Sequence, residues 1–157
     1  MAIEGLTVRA GEPAPDFTLP STAGGTVTLS RHHGKRNVLL AFFPLAFTRV
    51  CTTDLCAISV DVDRFEKAST KVYGISVDSI PALQAFRQAH RIGVDLLSDF
   101  HRDVSRRYGT LLEEQNFSRR AYVLVDRSGI LRWTYVEAEI GHRRETTELL
   151  AQIARLG

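Results

Sequence analysis

Residues 37–43 read NVLLAFF, a run in which six apolar residues follow a single polar one. A continuous apolar run of this length predicts a strand buried on both faces, as in a sheet that carries helices above and below. KVYGISV (71–77) repeats the pattern, and TVTL (26–29) and DLLSD (95–99) read as shorter strands. From about Arg49 to Ala68, Leu55, Ile58, Val62 and Phe65 recur every three or four residues, which is the period of a helix. Pro81 followed by Leu83, Phe86 and Ile92 predicts a second helix with its proline near the start, and a short third covers 102–108. RAYVLVD (120–126) and ILRWTYV (130–136) flank a three-residue connection containing Gly129, which predicts a hairpin, and a closing helix runs from about Arg144 to Leu156. Strands alternating with helices, then a hairpin and a last helix, predict an α/β fold of three layers, α/β/α, with a mixed central sheet and an N-terminal extension.

The 157 residues fit one domain, 1–157, with enough chain to bury a core. Apolar residues make up 44% and charged ones 24%, which places the chain with globular proteins and not with disordered or membrane-spanning ones. The 20 basic and 18 acidic side chains are interspersed. The densest basic stretches, 101–109 and 118–120, lack the interleaved aromatics of a nucleic-acid surface, so no nucleic-acid partner is expected. No basic-then-apolar leader opens the sequence and no run of about 18 apolar residues occurs, so a cytoplasmic protein with no membrane partner is expected. In that reducing compartment the NFS sequon at 116–118 reads as a chance match and a stable structural disulfide is disfavoured.

Both cysteines fall in AFFPLAFTRVCTTDLC (41–56), at the end of the first core strand. Three roles compete: packing, metal binding and reaction. Packing is the ordinary fate of a cytosolic cysteine. A metal site is not expected, because His32, His33, His90, His101 and His142 show no paired ligand spacing; His32 and His33 read as surface loop. Phosphate-loop, dinucleotide and nucleophile-elbow patterns are absent as well. Reaction gains from position. Thr48 stands three residues before Cys51, the offset at which an N-cap side chain meets a backbone N–H, so Cys51 lies in the first helical turn among amides that stabilise a thiolate. Cys56 lies a turn and a half further on, past those amides.

FFPLAFTRVCTTDLC, with GEPAPDFTL (11–19) before it and RAYVLVDRSG (120–129) after it, resembles the peroxiredoxins, thiol peroxidases of thioredoxin-like fold. The likeness covers nearly the whole chain and rests on the P-x-x-x-T-x-x-C element made by Pro44, Thr48 and Cys51. It implies that Cys51 is the peroxidatic cysteine, Thr48 its hydroxyl partner, Pro44 its shield from water and Arg120 its arginine. Arg120 is preferred to Arg119 because it stands six residues ahead of Asp126, and alternation turns Arg119 to the opposite face. FFPLAFT is similar to the AhpE-like group, often described as one-cysteine enzymes, whereas C-x-x-x-x-C is similar to the PrxQ, or bacterioferritin comigratory protein, group, in which the second cysteine resolves the first. By that second likeness Cys56 is the resolving thiol. Where the family commonly has Glu, the chain has the shorter Asp54. The resemblance further implies hydroperoxide substrates, no cofactor, thioredoxin or another thiol as reductant, and a monomer or homodimer. Two other readings are a thiol–disulfide oxidoreductase, which normally carries C-x-x-C, and a non-catalytic binding or chaperone domain, which needs none of these four residues together.

Overall fold

The computed structural model describes residues 6–139 and 141–156, so the first five positions of the N-terminal segment lie outside the described residues. A hairpin of β1 (Thr18–Pro20) and β2 (Thr26–Thr28) opens the fold, followed by a 3-10 turn at Leu29–His32. Then come β3 (Asn37–Phe42), α1 (Arg49–Val60), α2 (Val62–Lys67), β4 (Thr70–Ser76), α3 (Ile80–His90) and β5 (Asp95–Ser98). The second half holds α4 (Asp103–Tyr108), a small hairpin of β6 (Leu111–Leu112) and β7 (Phe117–Ser118), β8 (Ala121–Val125), β9 (Leu131–Val136) and α5 (Thr146–Ala154).

The central sheet runs β5-β4-β3-β8-β9, with β3, β4 and β5 parallel and β8 antiparallel to both β3 and β9. It is the expected mixed sheet, and β3, apolar after Asn37, is its middle strand. Alternation divides the side chains of β3 between two cores. Leu39 and Ala41 face α1, α2, α3 and α5, where Leu55, Ile58, Phe65, Phe86 and Leu149 pack. Val38, Leu40 and Phe42 face the other way, against Phe17, Leu19 and Leu29 of the N-terminal extension and Val104 and Tyr108 of α4. Among the described residues no helix is long and apolar enough to cross a membrane.

Three features depart from the sequence reading. The helix expected over 49–68 is two helices, because Asp61 leaves helical geometry (φ −100°, ψ 13°) and its carboxylate accepts a bond from Thr146 Oγ1 at 2.5 Å, tying the break to the start of α5. The β6–β7 hairpin is too short for its side-chain period to register. His32 is not surface loop: its Nε2 lies 2.7 Å from Tyr73 Oη in a half-buried pair, and burial of Tyr73 pushes its phenol up to about 12.

Gly74 decides how closely α1 approaches the sheet. It pairs with Ala41 on one side and Leu96 on the other. A Cβ there would stand 2.7 Å from Leu96 Cδ2, 3.2 Å from Phe43 Cε1 and 3.3 Å from Leu55 Cδ2, all in closed core. Gly74→Ala is expected to destabilise the protein by ~1–3 kcal/mol through overpacking, read as a lower denaturation midpoint at unchanged m-value. A shift within ~0.5 kcal/mol, the range of neutral surface changes, would show that Leu55 and α1 adjust freely.

Candidate active site

The C-terminal end of β3 leads into residues 43–48, which carry the chain from the middle of the sheet to the start of α1. Phe43 N–H is bound to the Ile75 carbonyl at 2.9 Å, Pro44 is buried, and Ala46 N–H donates to Asp78 Oδ2 at 2.8 Å. Ser76 Oγ donates to the same Asp78 oxygen at 2.7 Å. Phe47 adopts a left-handed backbone (φ 65°), uncommon for a bulky residue, and is 54% exposed. Its ring rests on Phe86 and His90 of α3, with centroids 5.1 and 6.0 Å away.

Thr48 takes the N-cap position in extended geometry (φ −81°, ψ 152°), as expected, but its hydroxyl does not cap the helix. It donates to the Leu45 carbonyl at 2.8 Å. That bond uses the hydroxyl's one proton, so toward a ligand Thr48 Oγ1 presents lone pairs. The Thr48 carbonyl receives Thr52 N–H at 2.9 Å, the first bond of the helix, and the amides of Arg49, Val50 and Cys51 precede it with no intrahelical acceptor. Cys51 thus sits in the first turn with a free thiol.

Helical spacing puts Cys51, Asp54, Leu55 and Ile58 on the buried face of α1. Facing them, alternation from Arg120 through β8 directs Arg120, Tyr122 and Leu124 to α1 and Ala121 and Val123 to the opposite core. Arg120 is 1% exposed, as is Cys51, and its Nη2 lies 3.1 Å from Cys51 Sγ. Its Nη1 lies 3.5 Å from Asp54 Oδ2, so the shorter acid comes within ion-pair range of the arginine but makes no direct hydrogen bond to it. Tyr122 Oη donates to Asp54 Oδ2 at 2.8 Å, and Arg143 Nη1 approaches Oδ1 at 3.7 Å. Burial pushes the Asp54 carboxyl above the usual carboxylate range; the Tyr122 bond and the charges of Arg120 and Arg143 pull against that rise, and Glu137 adds to it.

The structure therefore brings Cys51 and Arg120 into contact, with Pro44 and Thr48 in the segment leading to the thiol. Cys56 stands apart. It is half-buried at the edge of the same core, its Sγ 3.7 Å from the His90 carbonyl at the end of α3. Tyr122, Arg143 and Asp78 were not singled out from the sequence. Tyr122 was within reach of it, since the alternation that separates Arg120 from Arg119 puts Tyr122 on the Arg120 side.

The chain matches the AhpC/TSA family over residues 10–134. It is 36% identical over 150 residues to alkyl hydroperoxide reductase E of Mycobacterium tuberculosis, covering 93% of this chain and 98% of that protein. It is 31% identical over 156 residues to the chloroplastic 2-Cys peroxiredoxin BAS1 of Hordeum vulgare, covering 93% of this chain and 74% of that one. Among solved structures it is similar to reduced 2-Cys peroxiredoxin of Plasmodium vivax, with a TM-score of 0.88 and 32% identity, over 94% of this chain and 81% of that one. With a thioredoxin-like α/β sheet that sets a buried arginine on a helix-terminal cysteine, and with likeness to all three proteins along most of its length, the chain belongs to the AhpC/TSA family of peroxiredoxins.

Proposed function

We propose that this thiol-dependent peroxidase, a single cytoplasmic domain acting as a monomer or homodimer, reduces hydrogen peroxide and organic hydroperoxides through Cys51. The observation that carries the assignment is the 3.1 Å contact between Arg120 Nη2 and the buried Cys51 Sγ at the open end of α1. Arg120 and the first-turn amides favour the thiolate. Thr48 Oγ1, its proton held by Leu45, accepts the O–H of the hydroperoxide and turns its O–O bond toward sulfur. Pro44, buried and without an N–H, keeps water from the thiolate. The S–O bond forms as the O–O bond breaks; sulfur loses two electrons, the peroxide gains them, and the thiol's proton ends on the departing water or alcohol. Cys51 becomes a sulfenic acid. Cys56 thiol then attacks it, an S–S bond replaces the S–O bond, water leaves, and thioredoxin or a similar dithiol reduces the disulfide.

That resolution step makes a structural demand. Five residues of helix separate Cα atoms by roughly 7.5 Å of rise and about 140° of rotation, whereas disulfides join Cα atoms within about 6.8 Å. The first turns of α1 must therefore unwind. Thr52, Thr53 and Ser59 already turn their hydroxyls back onto the carbonyls four residues earlier, at 2.8, 3.0 and 2.7 Å, a substitution pattern that weakens helices slightly. Oxidised protein is expected to lose helical circular dichroism and to exchange amides faster over 49–59, both reversed by dithiothreitol. Mass spectrometry after one equivalent of peroxide, on wild type and Cys56→Ser, checks the step: an internal disulfide only in wild type supports it. A disulfide with helicity and exchange unchanged would sink the unwinding model. The position of Cys56 against α3 favours a second reading, in which a stable sulfenic acid awaits an external thiol; wild type free of the disulfide would select it.

A further inference from the structure

Asp54 is the buried link between Arg120 and the rest of the site, yet both of its guanidinium neighbours are distant. Arg120 Nη1 stands 3.5 Å away and Arg143 Nη1 3.7 Å, separations that give attraction but little direction. The short contact on this carboxylate is the 2.8 Å bond from Tyr122 Oη. Tyr122 is wholly buried, and its oxygen also accepts the backbone N–H of Arg144 at 3.1 Å. Arg144 is itself anchored, by Glu137 at 2.8 Å and by stacking 4.2 Å over the Tyr135 ring. Glu137 N–H in turn holds the Arg120 carbonyl at 2.9 Å.

We propose that Tyr122 is a positioning residue of the peroxidase: its hydroxyl fixes Asp54 so that this carboxylate holds the Arg120 fork on Cys51, and it pins the 143–144 segment so that Arg143 reaches the same carboxylate. The inference deepens the peroxidase reading and takes from it only that Cys51 acts as a thiolate. Asp54 is too short to meet both guanidiniums at hydrogen-bond distance from α1, and the phenol supplies the directed donor that they do not. The charged and titratable groups facing Asp54 are Arg120 and Tyr122 at β8, Glu137 after β9, Arg143 before α5, and Cys51 on its own helix. Without the phenol, Asp54 keeps its burial, loses its best donor and takes up a proton at higher pH. A neutral Asp54 attracts the Arg120 guanidinium less, so the fork is held less firmly on the Cys51 sulfur.

The test is iodoacetamide alkylation of Cys51 against pH, followed by peptide mass spectrometry so that Cys56 is scored separately. Tyr122→Phe keeps the ring and deletes the hydroxyl; the midpoint of alkylation is expected to rise by about half a pH unit or more, with near-wild-type reactivity at alkaline pH. Adding Asp54→Glu, whose longer arm reaches both guanidiniums, is expected to return the midpoint toward wild type. In an Asp54→Asn chain, Tyr122→Phe is expected to add nothing. If Tyr122→Phe is too unstable to assay, the Tyr122→Phe/Asp54→Glu pair decides, a wild-type midpoint supporting the role and a raised one opposing it. An unchanged or lowered midpoint in folded Tyr122→Phe, or an equal shift in the Asp54→Asn chain, would overturn it. A wild type that turns over no peroxide refutes the peroxidase assignment instead, and leaves the alkylation profile to judge Tyr122.

Discussion

Cys51→Ser is expected to abolish peroxide turnover, whereas Cys56→Ser is expected still to consume a first equivalent of peroxide at close to the wild-type rate. The two cysteines differ in surroundings as well as in exposure. Cys51 is in the first turn of α1, where backbone amides lack intrahelical acceptors, and has a guanidinium nitrogen 3.1 Å from its sulfur. Cys56 lies in the middle of α1, where the ladder is closed, and its sulfur meets the His90 carbonyl oxygen at 3.7 Å instead of a guanidinium. Serine at 51 keeps the shape of the site but offers an alcohol, a weak nucleophile without an adjacent base. The measurement is a rapid-mixing trace of peroxide loss, first without reductant and then with a thiol reductant in excess. Retention of the fast phase in Cys51→Ser would reverse the assignment of nucleophile. Cys56→Ser separates the cycles: if Cys56 resolves, turnover stops after one equivalent with a dithiol reductant alone, and if an external thiol resolves, turnover continues.

The parts of this site legible in the sequence are those set by local periodicity. The apolar run at 37–43 read as a strand buried on both faces, and it is the middle strand β3; the three-to-four-residue spacing of Leu55 and Ile58 marked the inner face of α1 with Cys51 in its first turn; and alternation chose Arg120 over Arg119. What the sequence concealed depends on contacts between distant segments. Arg143 is 89 positions from Asp54 and precedes a helix whose own pattern says nothing of its partner. Asp78, which holds Ala46, follows β4 and meets the 43–48 segment only because β3 and β4 are parallel neighbours. Thr48 shows the limit of a local rule: the N-cap position was right, but a nearer carbonyl at Leu45 took the hydroxyl proton. The two likenesses in the active-site segment also separate here, since the relation to alkyl hydroperoxide reductase E extends along the chain while the C-x-x-x-x-C spacing rests on two residues.

Arg120→Met is expected to slow oxidation of Cys51 at neutral pH by well over tenfold, while Arg119→Met changes it little. Methionine keeps an unbranched chain in the cavity but removes the charge and the donors. A hydrogen bond to a charged group contributes ~1.5–3 kcal/mol, which corresponds to roughly 10- to 150-fold in rate if the contact to sulfur is realised in the transition state. The substitution also leaves Asp54 buried with Arg143 as its remaining cationic neighbour at 3.7 Å, and removing one member of a buried pair typically costs ~3–5 kcal/mol of stability. The fold of Arg120→Met therefore has to be checked by its unfolding midpoint, and Arg120→Lys supplies the control that keeps the buried charge. Lysine offers a point charge in place of a fork, so it cannot serve Asp54 and Cys51 from two nitrogens of one rigid plane, and an intermediate rate is expected. Arg119 separates charge from position. Its backbone N–H bonds to the Thr110 carbonyl at 2.7 Å and survives substitution, and alternation with Arg120 predicts a side chain on the face away from α1. Stopped-flow oxidation of the three variants is the measurement. Equal losses at 119 and 120 would mean that net positive charge near the thiol matters and the 3.1 Å contact does not; a loss at 120 that lysine fully restores would mean that the charge suffices without the fork.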